Sequence, residues 1–431
     1  MKLKGLAALA VTASLAAGPV LADLVFPSLS YRTGPYAAGG APFADGYADY
    51  FTLLNERDGG IGGVIAQVPE CETAYDTTRG VECYEQFRDQ SPLVHQPLST
   101  GITYQLIPRV TEDEVPLHTM GYGRTSAADG TSFEWVFNYP NTYWDAASII
   151  INYLLDENGG SLEGKSIALI YHNSAYGREP IRTLEVLAEK HGFALTQIAV
   201  DAPGQEQRSQ WLQIRRERPD YVLMWGWGVM NSVAVTEAAS MGFPMENFIG
   251  VWWSGAEPDV RPAGAGAHGY KAINFTGVGT DFPFYADLRE HVIDAGKGVG
   301  DPSLVGTVQY NRGIYAAMLA AEAARKAQEI HGTPDITPAM MRDGMEALEL
   351  DAARLEELGM TGFGPELTVS CANHRGPGVG LMTQWDANEG TFKALTGFIE
   401  PDHDVFWELV EEDAAAFRTE MGIERRDCPE S

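Results

Sequence analysis

The chain has 431 residues, of which 45% are hydrophobic and 21% charged, the balance of an ordinary globular protein. Its 59 Asp and Glu outnumber 30 Lys and Arg, for a net charge of −29 at pH 7. A surface of that sign repels nucleic acid and anionic lipid, so neither is expected as a partner.

Lys2 and Lys4, the apolar run Gly5 to Ala17 and the small-residue stretch Val20-Leu21-Ala22 read as a secretory signal peptide over residues 1–22. The run is too short to span a bilayer. No Cys follows the cleavage position, which argues against a lipid anchor there. The remaining 409 residues exceed one compact core and predict two lobes. Four Cys in an oxidising compartment predict disulfides, Cys71 with Cys83 and Cys371 with Cys428. Zinc is the rival reading, but neither a CxxC nor a His pair accompanies them. No cofactor is expected.

Leu24 to Leu29 reads as a strand, Tyr31 to Gly40 as a Gly/Pro loop and Phe43 to Arg57 as an amphipathic helix. Strands follow at Val64 to Val68, Leu93 to Pro97 and Val115 to Met120, with helices at Thr77 to Arg88 and from Ser99 onward. The pattern restarts at Trp144 with a helix to Leu155. Strands at Ser166 to Tyr171, Leu195 to Val200, Tyr221 to Trp225, Phe248 to Trp253 and Ala272 to Phe275 are separated by helical stretches. Ser303 to Ile330 and Pro338 to Leu348 are helical. Leu367 to Ser370, Gly380 to Trp385 and Lys393 to Phe398 read as short strands. Strands alternating with helices, twice over, predict an α/β protein with two parallel sheets.

Active-site signatures are missing: the chain has no HExxH, GxSxG or P-loop. Gly264 to Gly269 matches GxGxxG but precedes a strand, so the dinucleotide geometry fails. His172, His374 and His403 lack metal-ligand spacing, and His403 reads as part of a polar tail. An enzyme is not expected. Polar loops at strand ends stand out instead, where open α/β sheets bind ligands. Ser99 and Thr100 open a helix, where free N–H groups can hold a carboxylate or simply be capped. Arg124, in the loop Gly121 to Ser126, either pairs with an anionic ligand or makes a structural salt bridge.

Gly34-Pro35-Tyr36, the helix ending Asn55-Glu56-Arg57-Asp58-Gly59-Gly60-Ile61, Gly164-Lys165 with its strand, Tyr176-Gly177 and Asn373-His374-Arg375-Gly376 occur in this order. Together they resemble the leucine/isoleucine/valine-type periplasmic binding proteins, over nearly the whole mature chain. The resemblance implies two Rossmann-like lobes joined by a three-segment hinge, closing on a small-molecule ligand and docking onto an ABC permease. It divides the chain into residues 23–143 plus 281–355, residues 144–280 plus 356–400, and a C-terminal tail 401–431. Tyr36, Ser99, Thr100, Arg124, Thr125 and Ser126 would line the first lobe's side of the cleft. Tyr176, Trp227, Trp252 and Trp253 would line the second, core packing being the alternative for the Trp cluster. Amino-acid binders of this family carry an acid where this chain has Trp252-Trp253-Ser254. That departure points to an aromatic or otherwise amphipathic carboxylate. An amide- or urea-type ligand, a sensor for a membrane receptor and an exported hydrolase are the alternatives. A monomeric periplasmic protein is expected.

Overall fold

The computed structural model describes residues 22–428. The expected signal peptide therefore lies, except for Ala22, outside the described residues. Two α/β lobes face one another. In the first, a parallel layer runs in the spatial order 66–72, 24–30, 93–96, 117–118 and 136–137. Leu24–Val25 pairs with Ala66–Gln67 and Ser28–Ser30 with Glu70–Glu72. Leu29 N donates to Gln96 O at 3.2 Å and His118 N to His95 O at 3.0 Å. These bonds carry the layer to Leu117–His118 and its parallel neighbour Val136–Phe137. Pro27, Pro69 and Pro97 bring no N–H to the ladder, so its strands are short. Of the strand expected over 64–68 only Ala66–Gln67 forms, and a further piece, Glu70–Glu72, follows after Pro69. The two-residue strand Val136–Phe137 is too brief to leave a periodic trace.

The second lobe holds seven strands. Ala194–Val200, Ser166–His172, Tyr221–Trp225, Phe248–Gly250 and Lys271–Asn274 are parallel neighbours in that order. Leu381–Asp386 then pairs antiparallel with Lys271–Asn274, and Thr391–Ala394 closes the edge. Ile167, Ala168, Leu169 and Ile170 are all buried, as a strand covered by helices on both faces requires.

Behind the first lobe, the helix Ala37–Asp58 packs along Val308–His331. Glycine permits the close approach: a Cβ on Gly46 would strike the Tyr310 carbonyl, and one on Gly313 the Phe43 carbonyl. This helix starts six residues before the expected Phe43. Gly39 and Gly40 belong to it because Trp227 and Tyr31 press on them where any Cβ would collide.

Three segments cross between the lobes, near residues 139–142, 275–280 and 376–380. The first and third are bonded to each other: Gly378 N donates to Pro140 O at 2.9 Å, and Asn141 Nδ2 to Val379 O at 3.1 Å. Residues 356–376, grouped by the sequence with the second lobe, pack on the first. Leu367–Thr368 pairs with Glu349–Leu350, and the Phe363 ring meets Phe284 and Tyr315. Residues 403–421 are not a solvated tail but the helix His403–Met421, capped by Asp402 through Val405 N. Both disulfides, Cys71–Cys83 and Cys371–Cys428, are formed. Among the described residues no helix is long and apolar enough to cross a membrane, and no cluster of His, Cys, Asp and Glu has metal-binding geometry.

Candidate functional site

Between the lobes lies a small cavity. Leu98, Ser99 and Thr100 form one wall. The rings of Tyr31, Tyr75, Tyr122, Tyr143 and Tyr176 surround it, with Trp227 and Trp253. Ser99 caps the helix Thr100–Asp113, its Oγ accepting from Ile102 N at 3.3 Å. The wall is held by strained backbone: Leu98 and Tyr75 both have left-handed φ, +41° and +61°. Leu98 N donates to the Tyr122 hydroxyl at 2.9 Å, and Leu98 O accepts from the Tyr31 hydroxyl at 3.0 Å. Tyr75 N donates to Thr73 Oγ1 at 3.1 Å. Burial raises all five tyrosines above their ordinary pKa, so the hydroxyls stay neutral. No charged side chain lines this cavity among the described residues.

The lobes are closed over it. The Trp252 and Trp253 indoles both donate to Gly121 O, at 2.8 and 3.0 Å. Tyr36 Oη lies 3.0 Å from His172 Nε2. Glu179 receives the Thr125 hydroxyl at 2.9 Å and that of Tyr104. Behind Trp253 the buried Arg312 lies over its ring and that of Phe275, and donates to Trp252 O and to Asn274 Oδ1.

Ser99, Thr100, Tyr176, Trp227 and Trp253 therefore face the cavity, whereas Tyr36 and Trp252 are spent on contacts between the lobes. Arg124, Thr125 and Ser126 do not reach it. Arg124 Nη2 pairs with Asp413 at 2.7 Å, and its guanidinium lies 5.2 and 4.8 Å from the Phe133 and Phe417 ring centres. Ser126 also donates to Asp413. The structural salt bridge is thus the role Arg124 takes, because Asp413 comes from the helix that the sequence concealed. Sequence reasoning missed Tyr31, Leu98, Tyr75, Tyr122 and Tyr143. Tyr122 sits inside the Gly121 to Ser126 loop and was within reach; Tyr75 owes its place to a backbone turn without a local signature.

Two titrating groups sit on the closed interface. Burial pushes the Glu179 carboxyl up to about 7, against its bonds from Tyr104 and Thr125 and with Asp413 nearby; burial lowers the His172 imidazole to about 4. Ionising Glu179 opposes closure, an effect absent below pH 4.5 and complete above about 7. Protonating His172 opposes closure, an effect absent above 6.5 and complete below about 4. The two trends oppose each other. In Glu179→Gln, ligand affinity measured by calorimetry is expected to rise with pH from 4 to 6.5; in His172→Gln it should fall from 4.5 to 7. Flat profiles in both variants would remove the pair from closure.

Two hinged α/β lobes shut over one aromatic cavity define a clamp-type solute-binding protein of the type I architecture. The chain belongs to the periplasmic binding protein family, whose profile matches residues 25–391. It is 40% identical to a protein from the Pseudomonas fluorescens group described as an ABC transporter permease, over 95% of this chain and 100% of that one, with a TM-score of 0.87. A branched-chain amino acid ABC transporter protein from Thermus thermophilus with bound valine is 20% identical over 91% of this chain and 99% of that one, TM-score 0.77. A solute-binding protein from R. palustris in complex with benzoate is 15% identical over 88% and 97%, TM-score 0.68. No curated protein matches the chain.

Proposed function

We propose that this protein is the extracytoplasmic solute-binding component of an ABC importer, and that it closes over a small amphipathic carboxylate with an aromatic body. One observation carries the ligand class: Tyr and Trp rings wall the cavity while the helix beginning at Thr100 opens onto it. An aromatic body packs on those rings. Its carboxylate meets the hydroxyls and the partial positive charge of the helix start. The wall holds no acid to receive an α-ammonium. Of the ligands named for the similar structures, benzoate suits these walls better than valine. A ligand touching both lobes favours the closed form by its differential affinity, and the hinge returns the open form after release. The signal-like residues 1–22 support export to the periplasm, and the family supports an ABC permease as the acceptor.

A thermal-shift screen tests this, because a ligand bound only by the folded state raises the transition by mass action. Benzoate and phenylacetate are expected to stabilise; leucine and valine are not. Stabilisation by leucine or valine alone would overturn the ligand class. The uncharged wall favours a neutral amide as second reading, which predicts that benzamide stabilises as strongly as benzoate.

A further inference from the structure

A second cavity, with a volume of about 210 Å³, lies at the mouth of the cleft and shares the Trp227 indole with the first. Gly34, Pro35 and Gly39 bound it from one lobe, Gly228 and Asp259 from the other. It is therefore complete only when the lobes are shut. Glycine keeps the shared wall thin: a Cβ on Gly39 would collide with the Trp227 ring, and Gly228 has a φ of +60° against the Pro35 carbonyl.

Two buried acceptors, on Gln309 and Asp259, are offered to this space, beside the Ser232 hydroxyl and the Trp227 indole. Gln309, 2% exposed, lines it, and its Oε1 has no hydrogen-bond partner among the described residues. A buried acceptor left unpaired is costly and uncommon, and a donor arriving with a ligand would satisfy it. The Asp259 carboxylate is also buried at this wall. It accepts from Ala256 N at 2.9 Å and Asn231 Nδ2 at 3.0 Å, and burial pushes its pKa up to about 7. A donor or cation beside it would relieve the cost of its charge. The inner cavity offers instead a helix start and hydroxyls, with no carboxylate on its wall. A carboxylate at one end and an N–H group at the other match the two spaces in turn.

We propose that the mouth cavity is a second binding compartment, which receives the ammonium or amide N–H end of an elongated ligand whose aromatic carboxylate end fills the inner cavity. This rests on the reading of the inner cavity given above. Trp227 is the common wall along which the body of such a ligand lies, and Gln309 and Asp259 set the preference for a donor at its far end.

Calorimetry with three probes separates the two readings: phenylacetate carries the acid alone, para-aminomethylphenylacetate both ends, and benzylamine the amine alone. The double-ended probe is expected to bind about ten-fold tighter than phenylacetate, the scale of one hydrogen bond to a charged group. In Gln309→Leu that gain should vanish while phenylacetate affinity is unchanged. Equal affinities in the natural protein, or a gain that survives both Gln309→Leu and Asp259→Asn, overturn the compartment and leave the inner-cavity reading intact. Failure of phenylacetate to bind overturns the inner-cavity reading. Benzylamine then decides the compartment: binding abolished by Gln309→Leu supports it, and no binding ends it.

Discussion

Asp145→Ala is expected to lower the unfolding free energy by about 3–5 kcal/mol, the scale for stripping one partner from a buried ion pair. Asp145 and Arg375 are 0% and 3% exposed, with Nη1 to Oδ1 at 2.9 Å. They meet where the first and third crossing segments run together. Asp145 also closes the capping box of the helix Tyr143–Glu157, accepting from Thr142 N at 2.8 Å. Alanine would leave a guanidinium between Phe406 and the hinge without a counter-charge. The double variant Asp145→Leu with Arg375→Met removes both charges, and is expected to recover all but the lost cap, about 1 kcal/mol. Urea denaturation measures both. A single-variant loss below about 1 kcal/mol would show that water reaches the pair and that the hinge is not dry.

Phe417→Ala is expected to cost about 3 kcal/mol and to widen the ligand-free protein. Phe417 is buried on the helix His403–Met421 and stacks on Phe133 of the first lobe, ring centres 4.2 Å apart. The adjacent Asp413 holds Arg124 of that lobe. The same helix reaches the second lobe through Glu412 to Arg182, Asp402 to Lys190 and the contact of Phe406 with Trp144. One rigid element thus grips both lobes and limits how far they part. Releasing its grip on the first lobe favours open forms, so ligand affinity falls by the fraction of closed-competent molecules lost. Small-angle scattering should show a larger radius of gyration without ligand, and the natural value once ligand is saturating. An unchanged radius, with a stability loss under about 1 kcal/mol, would show that this helix does not restrain opening.

Much of the fold was legible because parallel strands buried on both faces are continuous apolar runs. Ser166 to Tyr171 and Tyr221 to Trp225 declare themselves that way. The first lobe was harder. Prolines cut its strands to two or three residues, which carry no period, and Val136–Phe137 left no trace. The helix from Ala37 hid behind two glycines and Pro42, residues that read as loop until Trp227 and Tyr31 press against them. At the site, Ser99 and Thr100 were legible because a helix start after a strand is a local feature. Tyr176, Trp227 and Trp253 followed from the resemblance to the leucine/isoleucine/valine-type binding proteins, Trp227 and Trp253 also from their places at strand ends.

Local pattern by itself determined the α/β class and the helix start that opens onto the cavity, since each depends on neighbours a few residues apart; the restart of that pattern predicted two lobes, and an even cysteine count in an oxidising compartment predicted pairs that lie 12 and 57 residues apart. Only the tertiary structure decided which aromatic rings face that cavity and which hold the lobes together. Tyr31 and Tyr75 turn inward through backbone left-handed at Tyr75 and bonds from distant chain, while Trp252 is spent on Gly121. Arg124 shows the reason most plainly. Its partner Asp413 lies 289 residues further on, and a charge chooses among distant neighbours only once folding has brought them within about 4 Å and partly shielded them from water.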